Sequence, residues 1–82
     1  MLNLQIKNEE QFLLDELKKE LQDKISTYQC GVEAATSHLA FGIERKPYMS
    51  EDEFEFCMKG NTIKQKTYQY KLEWYQTQLN NL

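Results

Sequence analysis

The sequence predicts an all-α fold. Three observations carry that expectation. Apolar residues recur three or four positions apart over most of the chain. Only one proline and three glycines interrupt it. A clear helix-start signal follows the proline: Ser50 with Glu53 as a capping box, and Met49 with Phe54 as a hydrophobic staple. The elements expected are a long helix from about residue 9 to 45, a short helix over about 51–59, and an aromatic-rich helix over about 62–80. All of them belong to a single small domain over 1–82, preceded by a short arm at 1–7.

In the arm, Leu2, Leu4 and Ile6 alternate with polar residues, a strand-like pattern of six residues that would dock on the domain or add to a partner subunit. The first helix opens at Asn8-Glu9-Glu10-Gln11, where Asn8 can accept from free backbone N–H groups and the acidic residues suit the helix dipole. Leu14, Leu17, Leu21, Ile25 and Tyr28 then form one stripe. Lys18, Lys19, Glu20 and Asp23 decorate the other side. The stripe runs on through Val32, Ala35, Leu39 and Gly42, so one continuous helix is expected, with Gly31 as the single candidate bend; two helices meeting at a corner is the alternative.

Gly31, Ala34, Ala35, Ser37, Ala40 and Gly42 make the second half of this helix narrow enough for another helix to approach closely. Two uses fit that stripe: packing inside the monomer, or a self-association seam through Gly31, Ala35, Leu39 and Gly42. A stripe of that length is long for so small a chain to cover by itself.

Pro47 ends the helix, because the residue before a proline is pushed out of the α region. After the capping box, Phe54, Cys57 and Met58 share a face that should meet the core, and Phe56 points away from it. Gly60 is the expected stop of the middle helix. In the last segment Tyr68, Leu72, Tyr75 and Leu79 keep helical spacing, with Ile63, Tyr70 and Trp74 beside them. Tyr68, Tyr70, Leu72 and Trp74 also alternate as a strand would. Length favours the helix.

Composition narrows the function. The chain is 40 % hydrophobic and 28 % charged, ordinary for a globular protein, and 12 % aromatic. A net charge of −3 argues against binding long nucleic acid. No run reaches the roughly 18 apolar residues of a membrane span, and no signal peptide is expected, so the protein reads as cytoplasmic. Cys30 and Cys57 are too few for a disulfide scaffold and read as free, buried or partly buried thiols.

No phosphate-cradling glycine loop and no zinc-ligand spacing occurs, so neither a metal nor another cofactor is expected. His38, the only histidine, projects near the same helical stripe as Cys30, but a Cys–His nucleophile pair needs a cleft and an orienting third group, which so small a helical chain rarely offers, and no enzyme activity is expected. Lys59, Lys64, Lys66 and Lys71 follow one another without an intervening acid and are interleaved with Tyr68 and Tyr70, then followed by Trp74. Basic and aromatic side chains together can meet a phosphate while stacking a base. A solvated helix face whose aromatics turn to the core explains the same residues.

His38, Arg45, Lys64, Lys66, Tyr68, Tyr70 and Trp74 are therefore the candidate ligand- or partner-binding residues. The chain resembles in general type the small cytosolic proteins of bacteriophages that inhibit host machinery or defence by binding. The run from Thr36 to Pro47, small residues ending in Arg45-Lys46-Pro47, is also loosely similar to helical phage sponge proteins that sequester cyclic nucleotide signals, although this chain continues on to Leu82. The expectation is a non-catalytic helical inhibitor that is a homo-oligomer, a dimer or higher, and binds a host protein. The alternative is a sponge holding a small nucleotide-type ligand between subunits.

Overall fold

Pro47 and Ser50 set a corner that divides the chain into two helices. The computed structural model describes the backbone from Leu2 to Leu82 and the side chains from Asn8 onward. Helix α1 spans Leu2–Arg45 and helix α2 spans Glu51–Asn80; a 3-10 turn at Lys46–Tyr48 lies between them. Met49 then swings to extended backbone, and its N–H donates to the carbonyl of Lys46 at 3.2 Å. The Ser50 hydroxyl accepts from the backbone N–H of Glu53 at 3.2 Å, as its capping signature requires. Glu51, Asp52 and Glu53 occupy the first turn of α2, where the helix dipole favours acids.

The two helices lie antiparallel as one hairpin. Gly31 faces Tyr68, and Gly42 faces Cys57 and Met58. Thr36 accepts a 2.8 Å hydrogen bond from the Gln65 amide and donates to the Val32 carbonyl in turn. The seam of α1 is Leu21, Ile25, Tyr28, Val32, Ala35, Leu39 and Gly42. On α2 it is Phe54, Met58, Asn61, Gln65, Tyr68, Leu72 and Tyr75. Both runs alternate three- and four-residue steps, which keeps one face of each helix on its partner.

Several sequence expectations are corrected. Gly60 does not stop a helix: α2 passes through it, so the expected middle and C-terminal helices are one. No described residue has the positive φ that a glycine stop would use. The reason is that the seam's three–four spacing runs across Gly60 unbroken. Two favoured readings hold: residues 66–75 are helix and not strand, and α1 runs through Gly31 without interruption. Asn8, expected as the cap, lies inside α1. The bounds of α1 take in the stretch expected as an arm; its side chains lie outside the described residues.

At about 1.5 Å per residue, α1 is about 66 Å long and α2 about 45 Å. The N-terminal part of α1 therefore projects past the end of α2 at the open end of the hairpin. The molecule measures 71 × 14 × 14 Å with a radius of gyration of 20.0 Å. A compact domain of this length would have about 12 Å. Rod geometry leaves little interior: among the described residues only Leu21, Ala35 and Leu72 form a buried hydrophobic core.

Candidate binding surfaces

The expected oligomer seam lies inside the hairpin. Ala35 is 3 % exposed, Gly42 is buried, and Gly31 and Leu39 are half-buried. A Cβ at Gly31 would come within 2.9 Å of the Tyr68 ring, so glycine is what lets that ring lie flat against α1. The small-residue stripe thus serves packing within the chain and is not open to a second copy while the hairpin is closed.

The aromatic residues of α2 divide between two faces. Tyr68 and Tyr75 turn inward to Tyr28, with ring centroids 6.0 and 5.5 Å away, the second pair stacked at 12°. Trp74 meets Tyr75 edge-on at 5.0 Å, and the Lys71 ammonium lies 5.4 Å from the Tyr28 centroid. Tyr68 is therefore a seam residue, while Tyr70 and Trp74 face out, 73 % and 50 % exposed.

The seven candidate binding residues do not converge. Residues two apart on a helix project about 200° apart. Accordingly Lys64 borders a shallow depression of about 170 Å³ with His38, Tyr68 and Gly31. Lys66 borders a different one, about 290 Å³, with Val32, Tyr70 and Glu73. Tyr70 and Trp74 share a third, about 330 Å³, with Tyr28, Lys71 and Tyr75. Arg45 sits at the corner, its guanidinium 4.9 Å from the Phe41 ring centroid.

Among the described residues, no group of three or more His, Cys, Asp or Glu side chains is placed to hold a metal ion. Cys57 is half-buried and Cys30 exposed, and both are free; the exposure of Cys30 corrects the expectation that both thiols are at least partly buried. No helix among the described residues is long and apolar enough to cross a membrane.

A further surface, not legible from the separate segments, stands on the outer side of α2. Phe56, Gly60, Ile63, Thr67, Tyr70 and Trp74 follow in steps of four, three, four, three and four residues. That is the rhythm of a helix-packing seam, set two residues out of step with the seam used inside the hairpin. It therefore points away from α1. Phe56 is 83 % and Ile63 56 % exposed. The corresponding line on α1, through Asp23, Thr27, Cys30, Ala34, Ser37, Phe41 and Glu44, carries small or polar side chains except Phe41, which is 52 % exposed near the corner. The outer face of α1 is thus mostly polar, with Phe41 the exception, and that of α2 carries the apolar line. The chain matches no protein-family description, and neither the curated proteins nor the solved structures hold a match to it.

Proposed function

We propose that this chain is a non-catalytic helical binding protein that works as a homo-oligomer in the cytoplasm and occupies or sequesters a protein partner, as phage-type inhibitors of host machinery and host defence do. One observation carries the reading. Among the described residues, eleven large apolar side chains are exposed, from Phe12, Leu13 and Leu17 on the projecting end of α1 to Ile63, Tyr70 and Trp74 on α2. The buried core is only Leu21, Ala35 and Leu72.

A chain of this size has marginal stability even when compact. A rod with so small a core gains stability by association, which removes apolar surface from water at about 25 cal/mol per Å². Exposed apolar side chains lined up on one face, as Phe56, Ile63, Tyr70 and Trp74 are on α2, are the kind of surface that marks protein interaction sites. The resemblance in type to small phage proteins supports the inhibitory role. Stoichiometric recovery of one host protein with the tagged chain from a host lysate supports this reading. Recovery of nothing from several hosts removes it.

The sponge reading is kept because of one feature, the depression between Tyr28, Tyr70, Lys71 and Trp74. A flat base could lie on the exposed Trp74 with Lys71 near its phosphate. Lys64 and Lys66 open on different sides of α2, so within one chain they cannot grip one phosphate together. A ligand would have to be completed by a second subunit. Retention of a few hundred daltons of extra mass per site in the native oligomer favours this reading.

A further inference from the structure

We propose that the outer face of α2 is the seam of a two-fold dimer, in which two copies of α2 lie antiparallel about an axis at the level of Gln65. This rests on the homo-oligomer reading above and names its surface. Four observations on the helix lead to it.

The first is spacing. The line Phe56, Gly60, Ile63, Thr67, Tyr70, Trp74 reads the same in both directions about its midpoint. An antiparallel second copy therefore sets Phe56 against Trp74 of that copy, Gly60 against Tyr70, and Ile63 against Thr67. Self-complementarity of one patch is the defining property of an isologous contact.

The second is Gly60. The other two glycines are explained inside the chain: a Cβ would meet Tyr68 at Gly31, and Cys57 Sγ at 3.3 Å at Gly42. At Gly60 nothing lies within 4 Å. Glycine is a poor residue for a helix interior, and nothing in the hairpin requires it there. The antiparallel pairing brings the bulky, 73 % exposed Tyr70 of the second copy to that open place.

The third is charge. Lys59, Lys66 and Glu73 flank one side of the stripe, and Lys64 and Lys71 the other; all are exposed. Antiparallel packing sets Lys59 beside Glu73 of the second copy, twice by symmetry. Parallel packing would set Lys59 beside Lys64 and Lys66 beside Lys71, with no acid to offset either. The antiparallel arrangement leaves only Lys64 and Lys66 near their symmetry mates at the axis, where solvent screens them.

The fourth is area. Phe56, Ile63, Tyr70 and Trp74 together offer roughly 500 Å² of exposed side chain per copy, taking 150–250 Å² for each aromatic at full exposure. Two copies thus bury roughly 1,000 Å², the size at which specific interfaces begin. The matching line on α1 offers one large apolar side chain, Phe41, against four on α2, too little for a second seam of this size, so the stack stops at two.

The test uses the full chain. Unlabelled and nitrogen-15-labelled protein are mixed, allowed to exchange, and treated with a carbodiimide, which joins an amine to a carboxylate in contact. The expected product couples Lys59 of one isotope to Glu73 of the other. Within one chain, or between parallel chains, these residues are about 21 Å apart along the helix and cannot join. Sedimentation equilibrium runs alongside: the wild type is a dimer, and Ile63→Glu weakens it about 100-fold while helicity by circular dichroism persists. If Ile63→Glu fails to fold, the cross-link in the wild type decides. A dimer that tolerates Ile63→Glu, or that lacks the Lys59–Glu73 product, overturns this seam and leaves the homo-oligomer reading standing. A monomeric wild type overturns both.

Discussion

The Tyr68 ring lies against the bare backbone of Gly31, closer than any side chain larger than hydrogen would permit. A Cβ there would stand 2.9 Å from Cδ2 and 3.0 Å from Cγ of the ring. These are atoms of the rigid ring body, and Tyr28 sits on the same cluster with its centroid 6.0 Å away.

Gly31→Ala should therefore destabilise the hairpin. Overpacking costs about 1–3 kcal/mol, and the better helix propensity of alanine returns about 1 kcal/mol. The difference, a net loss of up to about 2 kcal/mol, is expected in urea unfolding. Gly42→Ala should behave differently. Its Cβ would meet Cys57 Sγ at 3.3 Å and Met58 Sδ at 3.4 Å, and the methionine sulfur can move aside. Propensity and crowding should nearly cancel, leaving stability within about 0.5 kcal/mol of wild type. Equal losses at the two positions would contradict the close approach at Tyr68.

Ser50→Ala removes the side-chain acceptor that holds the Glu53 N–H at the start of α2. A loss of about 1 kcal/mol is expected, with Ser50→Asp close to wild type because aspartate caps equally well. Thermal unfolding by circular dichroism reads both. No loss with alanine would mean that Pro47 alone sets the corner.

The two thiols should react at different rates. Cys30 stands exposed on the mostly polar outer face of α1, while Cys57 is half-buried with the Asn61 amide 3.5 Å from its sulfur. A chromogenic disulfide reagent should label Cys30 rapidly in the native protein and Cys57 slowly, with the rates converging in denaturant. Equal native rates would contradict the packing of Cys57 against Gly42.

Much of this architecture is legible in the residues themselves. The stripe from Leu21 to Gly42 gives α1, and Pro47 with the Ser50–Glu53 box gives the corner. Gly60 is where local reasoning goes astray. A glycine after a short amphipathic run looks like a stop, yet the seam residues Met58, Asn61 and Gln65 keep their spacing across it. Two of those three are polar, which hides the continuity. Dividing α2 at Gly60 also cuts the outer stripe in two, so that Phe56 falls in one helix and Ile63, Tyr70 and Trp74 in another. The candidate binding residues were legible as residue types but not as a site, because the facing of Lys64 against Lys66, and of Tyr68 against Tyr70, follows only once a single helical phase is set for the whole segment.

Native mass spectrometry of gently purified protein tests the central claim, that a hairpin with so small a core functions as an assembly. Twice the chain mass is expected, with no small molecule retained. A few hundred daltons of excess per site would move the function to the ligand-holding alternative. A monomer at micromolar concentration, folded and helical, would contradict the account.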